Sequence, residues 1–157
     1  MTTRLEPGTL APDFTLTAQN GESVTLSALR SGPVVLYFYP AAMTPACTAQ
    51  ACDFRDSFAP LQSAGYTVLG VSPDDVAKLE RFHERDHLPF DLLADPDHAV
   101  MDQYGTWGEK KNYGRTYEGV IRSTFIIDAD GVVQDALYNV RATGHVARIM
   151  RILGLAD

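Results

Sequence analysis

Only two cysteines, Cys47 and Cys52, occur among 157 residues. So few exclude the disulfide-stapled scaffold of small secreted domains, and a chain of this length can bury a core without staples. Basic residues are also in deficit. Lys and Arg number 13 against 20 Asp and Glu, a net charge of −7, and that sign removes the electrostatic footprint on which nucleic-acid binding would rest. No apolar run approaches the roughly 20 residues needed to cross a bilayer. The stretch from Met1 to Phe14 lacks a basic region followed by an apolar core, so no signal peptide is expected. Internal repeats, low-complexity segments and linkers are missing as well. What remains is an ordinary globular composition, 45 % hydrophobic and 21 % charged, which favours one domain over residues 1–157 in the cytoplasm.

The chemistry concentrates where a core strand hands over to a helix. Val34-Val35-Leu36-Tyr37-Phe38-Tyr39 is an unbroken apolar and aromatic run, the pattern of a strand buried on both faces. After it, Cys47, Ala51, Phe54, Phe58 and Leu61 recur at helical spacing,. Thr44 suits the N-cap and Pro45 the first helical position, which places Cys47 near the third. Unpaired amides and the positive end of the helix dipole meet there, and both favour a thiolate over a thiol. A free cysteine is more commonly a small apolar side chain. Position at the helix start, the Thr-Pro pair and a second cysteine five residues on reverse that presumption for Cys47.

The rest of the chain reads as alternating strands and helices. Asp13 to Thr17 and Val24 to Leu26, with Asn20-Gly21 between them, predict a hairpin,. Ser27 to Gly32 is a turn, and Pro60 ends or kinks the Cys47 helix. Tyr66 to Val71 is a second buried strand. Ser72-Pro73-Asp74-Asp75 predicts a helix start with Ser72 as cap and a stripe of Val76, Leu79 and Phe82, closed by Pro89. Phe90 to Leu93 is a short strand, and Asp95-Pro96 opens a helix that ends near Gly105. Residues 105 to 119, rich in Gly, Lys and Tyr without a period, read as a long loop. Ser123 to Ile127 and Val132 to Leu137 are strands joined by a turn, and Thr143 or Gly144 begins a last helix to Leu153. This order predicts an α/β fold, a central mixed sheet flanked by helices with an N-terminal β-hairpin. A strand–loop–cysteine–helix unit inside it is the thioredoxin-like arrangement.

Two motifs invite metal readings. His83-Glu84-Arg85-Asp86-His87 matches H-E-x-x-H, the zinc-peptidase pattern. Its variable positions are charged, Pro89 stops the helix at once, and neither His98 nor His145 has the context of a third ligand, so a solvated helix face is expected. Asp128-Ala129-Asp130-Gly131 begins like a calcium loop but lacks the later ligands, and reads as the hairpin turn. A protein thiol–disulfide oxidoreductase or redox sensor is the competing class for the cysteines. Its usual Cys-x-x-Cys differs from the Cys-x-x-x-x-Cys spacing found here.

The residues themselves carry a family resemblance. Phe38-Tyr39-Pro40, Thr44-Pro45-Ala46-Cys47-Thr48, Ala51-Cys52-Asp53-Phe54-Arg55-Asp56, Leu69-Gly70-Val71-Ser72, Trp107-Gly108-Glu109-Lys110 and Arg122-Ser123-Thr124-Phe125-Ile126-Ile127-Asp128 stand in this order across nearly the whole chain. In them the chain resembles the peroxiredoxins, specifically the Q-type or bacterioferritin-comigratory group. The resemblance implies a peroxidatic Cys47, a resolving Cys52, and a site completed by Pro40, Thr44 and Arg122. Without it, Arg122 is an arginine at a strand edge. It further implies reduction of hydrogen peroxide and organic hydroperoxides, a disulfide between the two cysteines, recycling by thioredoxin or a similar dithiol, no metal or organic cofactor, and a monomer. Two positions depart from the family pattern. Ala46 replaces the usual Gly, tolerable on a helix, and Gln50 stands where an acid is frequent, removing a charge that would help to position an arginine.

Overall fold

In the computed structural model, which describes residues 4–29, 31–112 and 114–156 and only the backbone of Asn112, the apolar run at Val34 becomes the strand on which the rest is built. This strand (β3, Val34–Phe38) is buried at every position. It pairs in parallel with β4 (Thr67–Ser72) and antiparallel with β8 (Ser123–Ile127). Side chains alternate across the sheet, so the single strand feeds two cores. Val35 and Tyr37 join Phe54, Leu61, Leu79, Phe82 and Ile149 on one face. Val34, Leu36 and Phe38 join Leu69, Met101, Tyr104 and Phe125 on the other. A strand with no solvent face has no polar positions to alternate, which is why it reads as continuous. Beside Tyr37 in register lies Gly70, where a Cβ would stand 2.9 Å from the tyrosine ring. Any larger residue there would have to displace the ring.

Around this centre the sheet runs in the order β2-β1-β5-β4-β3-β8-β9. The hairpin strands are β1 (Thr15–Ala18) and β2 (Ser23–Thr25), followed by β5 (Asp91–Ala94) and β9 (Val133–Leu137). The helices are α1 (Pro45–Asp56), α2 (Phe58–Ser63), α3 (Val76–Arg85), α4 (Ala99–Tyr104) and α5 (His145–Ile152). The mixed sheet, its flanking helices and the N-terminal hairpin are therefore as expected. Pro60 acts through α2. Its ring cannot follow an uninterrupted helix, so α1 stops at Asp56 and the proline falls in the first turn of a new helix,. None of these helices is long and apolar enough to cross a membrane.

Three local expectations are corrected. The cap of α3 is Asp75, whose carboxylate accepts from the Lys78 amide at 2.8 Å; Ser72 instead ends β4. α4 begins four residues beyond Asp95, yet the Asp95 carboxylate still accepts from the amides of Val100 and Met101, so the capping chemistry was in the right residue and the boundary was not. The stretch read as a loop is a ribbon of two antiparallel strands, β6 (Trp107–Asn112) and β7 (Arg115–Val120). Most of β7 is exposed, so neither face demanded the apolar alternation by which strands are recognised. The turn expected over 27–32 holds a short 3₁₀ helix, Leu26–Leu29. Met1 to Thr3, Arg30, Tyr113 and Asp157, which fall within the expected leaderless N-terminus, turn, loop and domain, lie outside the described residues.

Candidate active site

The site is assembled at the carboxyl end of β3, the usual location of function in a sheet with parallel strands. The chain leaves the strand through half-buried Pro40 and turns at Met43, which takes a left-handed φ of 63°, before entering α1. Asp74 fixes this loop from the neighbouring connection: its Oδ2 accepts from the Ala42 amide at 2.7 Å and from the Ser72 hydroxyl at 2.8 Å. Lys78 holds the other carboxylate oxygen at 3.2 Å. Of two consecutive acids at a helix start, one caps the helix and the other turns back to hold the loop. No pattern in the sequence distinguishes them.

Thr44 is the N-cap of α1 by backbone conformation, with φ −82° and ψ 156°. Its hydroxyl does not cap the helix; it donates to the Ala41 carbonyl at 2.8 Å. Cys47 follows at the third helical position and is 2 % exposed. Arg122, from the bend between β7 and β8, donates from Nη2 to the Cys47 sulfur at 3.3 Å. Its other terminal nitrogen donates to the side-chain oxygen of Gln50, fully buried one turn along α1. The Arg122 carbonyl is anchored in turn by the Val140 amide at 2.9 Å. Gln50 therefore does what its lack of charge suggested it would not: it supplies the acceptor that aims the arginine.

A second cation reaches toward the same place. Lys110 on β6 donates to the Val120 carbonyl at 2.7 Å, which carries its half-buried side chain across the ribbon to the Arg122 side. Burial, and then the positive charge of Arg122, push its ammonium pKa down, while a charge at Cys47 would raise it. Below the sulfur, Tyr37 and Tyr39 belong to the same buried cluster, and burial pushes both phenols up, which keeps them neutral.

Cys52 is not part of this cluster. It is free, as is Cys47, and faces the end of α3, with its sulfur 4.0 Å from Asp86 Oδ1. Burial pushes its thiol pKa up; Asp86, Asp56 and Asp53 add to this, against Arg55. The structure thus joins Cys47 directly to Arg122, sets Thr44 and Pro40 in the loop that leads to the sulfur, and holds Cys52 apart on the same helix. Among the described residues no three His, Cys, Asp or Glu side chains are grouped to hold a metal. His87 lies beyond α3 with a left-handed φ of 51°, so His83 and His87 do not share a helix face.

The AhpC/TSA family model matches residues 7–136. A putative peroxiredoxin of Mycobacterium tuberculosis is 52 % identical over 154 residues, 98 % of each chain. Peroxiredoxin Bcp of Escherichia coli is 47 % identical over 141 residues, 90 % of each. The bacterioferritin comigratory protein of Xanthomonas campestris, whose structure was described in connection with alkyl peroxide reduction, superposes with a TM-score of 0.85 at 32 % identity over 90 % of each chain.

Proposed function

The chain belongs to the AhpC/TSA family, as a thiol-dependent peroxidase of the Bcp or Q-type peroxiredoxins, and from that premise we propose that Cys47 is its peroxidatic cysteine and Cys52 its resolving one. The observation that carries the assignment is the 3.3 Å contact between the Arg122 guanidinium and a buried sulfur at the start of a helix. A permanently charged donor stabilises the thiolate, the form that attacks. As the sulfur binds one oxygen of a hydrogen peroxide or organic hydroperoxide, the O–O bond breaks and its electron pair departs with the second oxygen, which takes a proton and leaves as water or alcohol. Cys47 becomes a sulfenic acid. Arg122 is placed to meet charge on the oxygens, and the Thr44 hydroxyl, whose proton goes to the Ala41 carbonyl, keeps lone pairs that can accept from the peroxide O–H. Pro40 and the loop pinned by Asp74 shape the entrance.

Cys52 then displaces hydroxide from the Cys47 sulfur, and the disulfide is returned to two thiols by thioredoxin or a similar dithiol. No step calls on a metal or organic cofactor. The reading treats residues 1–157 as one peroxidase domain, monomeric, working in the reducing cytoplasm where such dithiols operate. Peroxide consumption tests it, with thioredoxin and its reductase as electron source. Cys47→Ser should be inactive, because among the described residues no other group is placed to attack the O–O bond. Cys52→Ser should reduce about one peroxide per chain and then stall. Steady turnover by the Cys47 variant would sink the assignment.

A further inference from the structure

The outer face of α1, which carries Cys52, is fastened to the end of α3 at three points. Asp86 Oδ1 receives the Cys52 thiol at 4.0 Å. The Asp86 carbonyl accepts from Arg55 Nη1 at 2.8 Å. Arg85 grips the other Asp86 oxygen at 2.8 Å and also donates to the Thr48 hydroxyl at 3.0 Å. Asp86 is common to two of these points and, through Arg85, is tied to the third. Its side chain is only 16 % exposed, so its charge acts on Cys52 through a medium poorer in water than the surface. The charged groups around that thiol are Asp53, Arg55 and Asp56 on α1, with Arg85 and Asp86 at the end of α3.

Cys47 and Cys52 lie on one uninterrupted helix. Five residues apart, they point about 140° from each other with Cα atoms roughly 8.6 Å apart, beyond the reach of a disulfide at about 7 Å. Bridging them requires α1 to open, and opening breaks all three fastenings. We propose that Asp86 is a positioning residue that times the second half of the cycle: it clasps Cys52 and α1 to α3, withholding the resolving thiol until the helix opens. The inference rests on Cys52 being the resolving cysteine. Burial disfavours the Cys52 thiolate and the Asp86 carboxylate adds to this, against Arg55,, so Cys52 is held as a thiol while the clasp is closed. Once released, Cys52 loses its proton to solvent and its sulfur attacks the Cys47 sulfur. An S–S bond forms as the S–O bond breaks, and the departing hydroxide takes up a proton to become water. The oxidising equivalent is the one the peroxide already delivered.

A slower resolution step leaves the sulfenic acid open to a second peroxide, which over-oxidises it. Asp86→Asn, which keeps the shape and removes the charge, tests the clasp. Reduced enzyme is mixed with one equivalent of hydrogen peroxide, quenched with an alkylating agent at intervals and assayed for the Cys47–Cys52 disulfide. The peroxide step, measured in the Cys52→Ser background, serves as reference. Relative to that step, disulfide should form about three- to tenfold faster in Asp86→Asn, as expected for losing hydrogen bonds to a charged group. The peroxide concentration that over-oxidises half the enzyme during turnover should rise in step. Thr48→Val removes only the bond to Arg85 and should shift both readings the same way by less. Equal or slower disulfide formation in Asp86→Asn overturns the role of Asp86 alone. A wild-type enzyme that forms no Cys47–Cys52 disulfide removes Cys52 from the cycle, and Asp86 with it.

Discussion

Gln50 and Arg122 are separated by 72 positions and meet over one sulfur. A guanidinium has five donors in a rigid plane, so one acceptor at each end settles its orientation. The Cys47 sulfur takes Nη2 and the Gln50 oxygen takes Nη1. What matters at position 50 is therefore an acceptor of the right length, with or without charge. Gln50→Leu should leave the arginine free to swing and slow the peroxide step by about tenfold or more, as read from single-turnover peroxide consumption. Gln50→Glu keeps the acceptor and should stay within about threefold of wild type. A leucine variant with unimpaired peroxide reduction would show that Arg122 is aimed by something else. The cysteine itself was legible in the sequence because cap, proline and stripe are all local to it. Arg122 was not, since its partner lies 75 positions away and no local pattern marks a strand-edge arginine as catalytic; only the family resemblance singled it out. Asp74 and Asp86 also act across the fold and gave no signal.

The same division holds for whole elements. Those that bury a face announced themselves. β3 and β4 read as continuous apolar runs, and α3 and α5 carry stripes against the sheet. The β6–β7 ribbon, which buries little, did not, although it carries Lys110 to the site. α1 is the informative intermediate case. Its inner face, Cys47, Gln50, Ala51 and Phe54, is buried, while its outer face is held by polar contacts that water can replace. Such an element can open without unfolding the sheet beneath it, and disulfide geometry requires that it do so. Oxidation should therefore remove amide-exchange protection over roughly Thr44 to Arg55 and leave β3, β4 and β8 protected. Equal protection of this segment in the reduced and disulfide forms would mean that bridging does not disrupt the helix.

Stability of the molecule as a whole should carry the mark of one buried imidazole. His145, the first residue of α5, is 3 % exposed. Its Nε2 shares a 2.8 Å hydrogen bond with the Thr124 hydroxyl in the central sheet, so it links the terminal helix to the strand next to β3. Burial lowers its pKa to about 4, with the positive charges of Arg148 and Arg122 adding to the effect, and the helix dipole also opposes a cation at this end. In the unfolded chain the imidazole titrates near its usual 6.5. Above that value both states are neutral and the group is silent. As the pH falls from 6.5 toward 4, the unfolded state takes up the proton and the folded state does not, so stability is lost across this window. Below 4 the loss is complete and constant. The loss has an upper bound of about 3 kcal/mol over the window and about 2 kcal/mol by pH 5. His145→Gln, which can keep the bond to Thr124 without titrating, should narrow the gap between the melting temperatures at pH 7 and pH 5 by roughly 4 °C. If both proteins lose the same melting temperature over that range, His145 is not what limits the acid stability of this fold.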